Sequence, residues 1–256
     1  MNDMEMERFC SMLEKLPGSI GFYYKDMGSG EELAWKAELP VEAASVIKVL
    51  VMAEAFRQRE EGRIDFSAMV TVPPEMKKPS CGALTYMHDG LRVQIIDLVT
   101  LMIILSDNTA TNMLIDLLGK DRINDMIASM GLSGTVLNRK LFEPELAAKG
   151  IKNYISAGDL GHVMELLLRG ELVSKEASAE MLRILGDQRL NGKMPFFLHS
   201  EGIRCAHKTG EDDGITHDVG VIFAESPRIF CFVSERTNVP EAERTIQDMA
   251  RIAAGL

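Results

Sequence analysis

Hydrophobic positions alternate with polar ones towards both ends of the chain, whereas the middle of the chain follows a helical period. Residues 4–16 are predicted to form an amphipathic helix, and residues 241–254 a second helix that closes the chain. The alternating segments are predicted strands, and they cover residues 18–25, 31–36, 203–209, 219–223 and 228–234. Two strands therefore precede the helical middle, and three follow it.

The middle of the chain is mostly helical in pattern from Val41 to about Gly186. Glycines that can end helices interrupt this region at Gly62, Gly119, Gly131 and Gly170. Because strands come from both ends with helices between them, we predict an α+β fold: one sheet built from both ends, and an inserted all-helical lobe.

No linker rich in Pro, Gly or Ser divides the chain, so we predict a single domain over residues 1–256. Its α/β lobe would comprise about 1–40 and 190–256, and its all-α lobe about 41–189. Binding sites in such folds commonly lie between lobes.

Composition argues against several classes of protein. The chain is 46% hydrophobic and 26% charged, with a formal net charge of -10 and no basic cluster, so we expect no nucleic-acid partner. No apolar run approaches the ~20 residues of a membrane-spanning helix, and the acidic charge disfavours an anionic membrane surface. Residues 1–15 contain no signal-peptide core, so we expect a cytoplasmic protein if the chain is complete, and otherwise a secreted one with its signal peptide removed.

The four cysteines, Cys10, Cys81, Cys205 and Cys231, are widely scattered and form no C-x-x-C pair. No histidine lies at metal-ligand spacing from them, so we expect neither a metal site nor any other cofactor. Reduced thiols fit the cytoplasmic expectation.

Ser45 and Lys48 form an S-x-x-K string at the start of an apolar segment, 46–56, that is predicted to be a buried helix. Unpaired N–H groups at a helix start favour a developing negative charge on the serine oxygen or nearby. Lys48 follows one turn later on the same face, and burial would lower its pKa towards that of a useful base. In isolation the string would more often be a capping serine with a lysine that extends to solvent.

Two further strings carry polar groups suited to the same chemistry. Ser106 ends an apolar run over 95–105, and Asp107 is predicted to cap a helix that runs to Leu118. Lys208-Thr209-Gly210 ends a predicted strand, so Lys208 and Thr209 should point to opposite faces. A plain helix cap remains the better account of Asp107.

The order and spacing of S-x-x-K, S-D-N and K-T-G, with Phe142-Glu143-Pro144-Glu145-Leu146, resemble the class A β-lactamases among the penicillin-recognising serine enzymes. The resemblance extends from about Gly21 to the C-terminal helix. It implies a β-lactamase/transpeptidase-like fold, with a five-stranded antiparallel sheet flanked by helices.

The resemblance also implies catalytic roles. Ser45 would be the nucleophile, Lys48 and Glu143 would take protons, and Ser106 would protonate the leaving nitrogen. Glu143 would further activate the water that cleaves the acyl-enzyme. Since Pro144 disfavours helical backbone at the preceding residue, Glu143 is expected in a loop.

Substrate-binding roles follow from the same resemblance. Asn108 would hydrogen-bond the amide side chain of the substrate, Lys208 and Thr209 would hold its carboxylate, and Gly210 would let the ligand approach the backbone. The N–H of Glu211 would complete an oxyanion hole with that of Ser45.

Three features depart from the family pattern. Ala147 stands where the family usually has an asparagine that helps hold the hydrolytic water, so deacylation could be slow. No arginine follows K-T-G on the next strand, and Arg189 is predicted to substitute for it. Three acidic residues, 211–213, lie beside the lysine and would repel an anionic substrate.

We therefore predict a monomeric serine hydrolase that cleaves β-lactams, or a related acyl-amide substrate, through an acyl-enzyme on Ser45. A D-alanyl-D-alanine peptidase or related amidase or esterase is one alternative. A binding or sensor domain that is acylated without turnover is another, motivated by Ala147. A catalytically idle protein with the same fold ranks last, because every reactive side chain is present.

Overall fold

A computed structural model describes residues 3–79 and 81–256. The remaining positions of the predicted domain, 1, 2 and 80, lie outside the described residues. The α-helices are α1 (Asp3–Glu14), α2 (Lys48–Glu60), α3 (Ile95–Ile104), α4 (Asn108–Leu118), α5 (Lys120–Ser129), α6 (Pro144–Ala148), α7 (Ala157–Arg169), α8 (Lys175–Gly186) and α9 (Val239–Ala253). The strands are β1 (Ser19–Asp26), β2 (Glu32–Trp35), β3 (Val41–Glu42), β4 (Met69–Thr71), β5 (Arg92–Gln94), β6 (Tyr154–Ile155), β7 (Arg204–Asp212), β8 (Ile215–Phe223) and β9 (Pro227–Glu235).

One sheet joins the two ends of the chain, in the order β2-β1-β9-β8-β7. Every neighbouring pair is antiparallel, and β1 pairs with β9 so that Phe22 lies opposite Phe232. This confirms the α+β prediction and the five-stranded antiparallel sheet. β7 extends to Asp212 and β8 begins at Ile215, so both are longer than predicted. The predicted start of β8 is too late because buried polar residues such as Asp218 interrupt the hydrophobic alternation there. β7 ends in exposed acidic residues, which do not continue the alternation.

Apolar side chains cover both faces of the sheet. On one face, α1 and α9 contribute Phe9 and Met249 to a cluster with Phe22, whose ring meets that of Phe9 edge-on at 5.6 Å. The other face packs against α7 and continues into the core of the helical region, which contains most of α2. The sheet is therefore packed between α1 and α9 on one face and α7 on the other, in agreement with the predicted α+β fold.

The helical region contains two short strand pairs that the sequence pattern did not predict. β3 pairs with β6, and β4 pairs with β5. Strands of two or three residues are too short to show an alternation of polar and apolar positions. In the part of the chain that the structure describes, no helix is long and apolar enough to cross a membrane.

Capping side chains set the helix ends near the site. Asp107 caps α4, since its Oδ1 accepts from the N–H of Ala110 at 2.9 Å, and Gly119 follows the last turn with φ 85°. The helix after Ser45 begins later than predicted. Residues 44–47 form a 3₁₀ turn, and the α-helix starts at Lys48.

Candidate active site

A cavity of about 570 Å³ lies where the sheet edge β7 meets the helical region. Residues far apart in sequence line it. Of the residues predicted to act in catalysis or binding, those that line it are Ser45, Ser106, Asn108, Glu143, Thr209 and Glu211. Lys48 and Lys208 are fully buried against this cavity, at 0% exposure, and contact its serines.

Ser45 lies in the 3₁₀ turn that precedes α2, and its side chain is half-buried. The turn is fixed by the N–H of Val46, which donates to Ala43 O at 3.0 Å, and by that of Ala43, which donates to Asn153 O at 2.8 Å. Ala44 has a positive φ of 41°, which L-residues rarely adopt. These backbone hydrogen bonds therefore hold the turn from which Ser45 faces the cavity.

The Lys48 amine makes the hydrogen bonds that connect Ser45, Ser106 and Asn108. Its Nζ is 2.9 Å from Ser45 Oγ, 3.0 Å from Ser106 Oγ, 2.8 Å from Ser106 O and 2.8 Å from Asn108 Oδ1. Burial, with the nearby Lys208 second, holds the pKa of Lys48 well below the ordinary lysine value. A neutral Lys48 amine carries a lone pair, so one of the two serine hydroxyls can donate to it.

Ser106 joins the two buried lysines. Its Oγ accepts from Lys48 Nζ and also from Lys208 Nζ, at 3.1 Å. Burial lowers the pKa of Lys208 to about 7, and the carboxylate of Asp218 opposes this shift. Lys208 Nζ also donates to Thr209 O at 2.8 Å. The Ser106 hydroxyl, which lines the cavity, thus accepts hydrogen bonds from two lysine amines.

Asp107 holds the loop that forms part of the cavity wall. Its Oδ2 accepts from the N–H groups of Ala83 and Leu84, at 2.7 and 2.9 Å. Gly82 has φ 115°, and a Cβ there would lie 2.4 Å from the same carboxylate oxygen. The loop is therefore tied closely to the S-D-N string, which agrees with a structural role for Asp107.

Glu143 lies in the wall of the cavity, at the residue before α6, and Pro144 is the first residue of that helix. Its Oε2 accepts from the N–H of Lys140 at 2.8 Å. Ala147 lines the same cavity one turn later and presents a methyl group there. The loop location expected from Pro144 is confirmed, and the wall beside Glu143 lacks a side-chain amide at position 147.

Thr209 and Glu211 line the cavity, whereas Gly210 packs against protein. A Cβ at Gly210 would lie 2.8 Å from Cδ2 of His217, 3.1 Å from Cγ2 of Val46 and 3.4 Å from Cβ of Ala44. We expected this glycine to make room for a ligand. In the structure the glycine makes room for the turn that carries Ser45.

Arg189 lies outside the cavity. Its side chain is exposed, while its backbone N–H donates to Ile104 O at 3.1 Å. In the described residues, the basic side chains that line the cavity are those of Lys77, Lys78 and Arg139. The prediction that Arg189 substitutes for the missing arginine therefore gains no support from the geometry.

Sequence reasoning also missed Lys193, which follows Arg189 in the same segment. Lys193 is 3% exposed and donates to the carbonyl oxygens of Gly210 and His217 behind the cavity. No periodic pattern in this segment separates a buried lysine from an exposed arginine. Among residues 3–79 and 81–256, no cluster of His, Cys, Asp and Glu is arranged to hold a metal ion.

The fold and the cavity match those of known proteins. A β-lactamase structure from Sphaerobacter thermophilus is 30% identical, with a TM-score of 0.90 and coverage of 99% of this chain and 97% of that one. The structure of a protein named PBP-A is 27% identical, with a TM-score of 0.89, and coverage is 99% and 95%. The architecture is therefore the β-lactamase fold.

The sequence itself matches the model of the β-lactamase enzyme family over residues 6–255. A β-lactamase from Streptomyces fradiae is 24% identical over 247 residues, which are 92% of this chain and 80% of that protein. The chain belongs to the β-lactamase enzyme family.

Proposed function

We propose that the protein hydrolyses β-lactams through an acyl-enzyme on Ser45. One observation carries the proposal: Lys48 Nζ lies within 3.0 Å of both Ser45 Oγ and Ser106 Oγ, and Lys208 Nζ reaches the same Ser106 oxygen at 3.1 Å. This chain of contacts provides a path for a proton from the nucleophile to the leaving group. Family membership and the β-lactamase fold support the same substrate class.

Acylation begins when Ser45 Oγ attacks the carbonyl carbon of the lactam. The hydroxyl proton passes to Lys48, whose burial favours the neutral amine. The carbonyl oxygen becomes an oxyanion, which the N–H groups of Ser45 and Glu211 stabilise. The carbon–nitrogen bond then breaks, Ser106 donates its proton to the nitrogen, and Lys48 returns a proton to Ser106.

Lys208 supplies positive charge to this step. Burial lowers the pKa of Lys208 to about 7, so both the charged and the neutral form of its amine are accessible near neutral pH. The charged form stabilises negative charge on Ser106 Oγ and attracts a substrate carboxylate, with Thr209 as the neighbouring donor. Asn108, which accepts from Lys48 through Oδ1, offers its amide N–H groups to the substrate.

Deacylation requires a water molecule and a base, and Glu143 is the carboxylate that lines the cavity beside Ala147. Glu143 takes a proton from water, and the hydroxide attacks the ester carbon. As the ester carbon–oxygen bond breaks, Glu143 gives up this proton, which passes by way of the neutral Lys48 amine to Ser45 Oγ and regenerates the free enzyme. Because Ala147 has no side-chain amide to hold the water, we propose that deacylation is the slow step.

The test combines turnover with detection of the adduct. The protein is mixed with a chromogenic cephalosporin and with benzylpenicillin, and intact-protein mass spectrometry follows the adduct. Ser45→Ala should abolish both turnover and adduct, whereas Ser200→Ala, a change at an exposed serine, should alter neither. Hydrolysis that survives Ser45→Ala would refute the proposal.

An acylated binding domain without turnover is the second candidate. The observation that favours it is the wall at Glu143, where a backbone N–H occupies one carboxylate oxygen and Ala147 supplies no polar group. A stoichiometric penicillin adduct that persists for hours, without product release, would select this candidate. A transient adduct with steady release of product would select the hydrolase.

A further inference from the structure

Lys193 is a buried cation that the proposed chemistry does not use. It lies between α8 and β7, and 4% of its side chain is exposed. Its Nζ donates to Gly210 O at 3.2 Å and to His217 O at 3.3 Å. It also pairs with Glu211 Oε1 at 3.0 Å and with Glu243 Oε1 at 3.8 Å. Burial of a lysine is costly, so these contacts call for an explanation.

The two carbonyls belong to residues that face each other across the sheet edge, because Gly210 on β7 pairs with His217 on β8. Lys193 therefore bridges both strands at the point where the K-T-G string meets the cavity. The carbonyl of Gly210 and the N–H of Glu211 are the two ends of one planar peptide group. This N–H is the donor that the proposed mechanism directs at the oxyanion.

A cation that binds the carbonyl oxygen of a peptide group strengthens the N–H of the same group as a hydrogen-bond donor. Charge-assisted hydrogen bonds are stronger than neutral ones, and hydrogen bonds in a chain polarise one another. Lys193 draws electron density towards Gly210 O, and the N–H of Glu211 becomes a better donor. The same contact limits rotation of the peptide plane and so fixes the direction of the N–H of Glu211, a residue that lines the cavity.

We propose that Lys193 is a positioning residue that orients and polarises the Gly210–Glu211 peptide for oxyanion binding. The proposal rests on the function proposed above, since it concerns the acyl-transfer step on Ser45. It assigns to Lys193 an action on the backbone rather than direct contact with the substrate.

A direct role in binding the substrate carboxylate fits the surroundings of Lys193 less well. Two carbonyl oxygens and the carboxylates of Glu211 and Glu243 already surround its Nζ, and a lysine has three N–H donors. The two carboxylates also balance its charge, so little attraction remains for an anionic ligand. The described residues that line the cavity do not include Lys193.

Other contacts hold this part of the sheet in place when Lys193 is changed, because β7 pairs with β8 from Arg204 to Asp212. Gly210 packs against the ring of His217, and burial lowers the pKa of His217 to about 4, so the ring is neutral. Its Nδ1 accepts from Ser234 N at 3.0 Å, and its Nε2 donates to Glu42 O at 2.9 Å. Loss of Lys193 should therefore affect the direction and polarity of the peptide more than the fold.

The test compares Lys193→Met and Lys193→Arg with the wild type. Rapid mixing measures the acylation rate with benzylpenicillin and with its methyl ester, which has no free carboxylate. Rapid-scan infrared spectroscopy measures the ester carbonyl band of the acyl-enzyme, since stronger hydrogen bonds to this carbonyl lower its frequency. Glu243→Gln is the matched control, because it removes the longer ion pair and leaves both carbonyl contacts of Lys193.

Lys193→Met should slow acylation about tenfold with both substrates, less than the 10²–10³ lost when an oxyanion donor is removed altogether. The carbonyl band should move to higher frequency, and Lys193→Arg should restore much of the rate. Glu243→Gln should change the rate less than about twofold, since Lys193 keeps its carbonyl partners.

A loss confined to the acid form of the substrate, with an unchanged carbonyl band, would overturn the proposal in favour of carboxylate binding. Unchanged rates and an unchanged band in Lys193→Met would also overturn it. If Lys193→Met does not fold, the same readouts are applied to Lys193→Gln, which keeps a neutral donor there. A wild-type protein that forms no penicillin adduct would instead refute the proposed function, and this inference with it.

Discussion

Replacement of Lys48 by methionine removes the donor that connects Ser45, Ser106 and Asn108. Methionine is similar in length and flexibility, so it fills the space without an amine. The proton of Ser45 then has no nitrogen acceptor at 2.9 Å, and the reprotonation path to Ser106 is broken. Loss of a positioned general base costs about 10²–10⁴ in rate, which we expect for acylation.

Lys48→Met should also change the free energy of unfolding, separately from its effect on the acylation rate. The buried acceptors Ser106 O and Asn108 Oδ1 lose their 2.8 Å donor, at about 1–3 kcal/mol each. Relief from burying the lysine amine offsets part of this loss. Since domains are typically stable by about 5–15 kcal/mol, the variant should remain folded at 25 °C.

The assay for Lys48→Met is single-turnover acylation by a chromogenic cephalosporin, with the adduct followed by intact-protein mass spectrometry. Circular dichroism and the thermal midpoint establish that the variant is folded. Lys149→Met, at an exposed lysine, is the control and should acylate at the wild-type rate. Acylation of folded Lys48→Met within threefold of wild type would show that the Ser45 proton takes another route.

Three further predictions concern Lys208, Glu143 and Gly210. The charge on Lys208 is lost as pH rises through its pKa of about 7, so acylation by a carboxylate substrate should fall about tenfold per pH unit above 8. Glu143→Gln should leave acylation intact and prolong the penicillin adduct by about 10²–10⁴, because the water loses its base. Gly210→Ala should destabilise the fold by about 1–3 kcal/mol and slow acylation, since its Cβ meets His217 at 2.8 Å and Val46 at 3.1 Å.

Each of these predictions has a measurement and an opposing result. A pH profile of the acylation rate tests Lys208, and a profile that stays level from pH 7 to 9 would contradict it. Adduct lifetime tests Glu143, with Glu145→Gln at the neighbouring exposed carboxylate as the control. Denaturant unfolding tests Gly210→Ala. An unchanged midpoint would contradict the prediction, because it would show that the turn around Ser45 accommodates the added Cβ with no loss in the free energy of unfolding.

Much of the fold follows from local patterns. Asp107 and Ser156 precede apolar helical patterns and cap helices by bonds to backbone N–H groups, as their residue types favour. The outer helices and the strands near both ends were located to within a few residues. The start of β8 was placed too late, since His217 and Asp218 are polar yet fully buried by partners from other elements.

The residues of the candidate site could be predicted from the sequence, but their arrangement in space could be predicted only in part. Ser45, Ser106 and Lys208 were recognisable from the S-x-x-K, S-D-N and K-T-G strings. The expectation that K-T-G ends a strand was wrong, because β7 continues to Asp212 and Lys208 lies in its middle. Arg189 and Lys193 lie in one aperiodic segment, and the sequence singled out Arg189, whose side chain is exposed, but not Lys193, which is buried behind the cavity. The two residues differ in their tertiary contacts, since Lys193 donates to Gly210 O on β7 whereas the side chain of Arg189 is exposed.

The sequence by itself determined which reactive groups exist and in which kind of element or turn they lie, because capping and hydrophobic periodicity act over a few neighbouring residues. The tertiary structure alone decided that Lys48 reaches a serine 58 positions away and Lys208 the same serine 102 positions away. It also decided the low pKa of both amines, since desolvation depends on atoms that the whole fold packs around them.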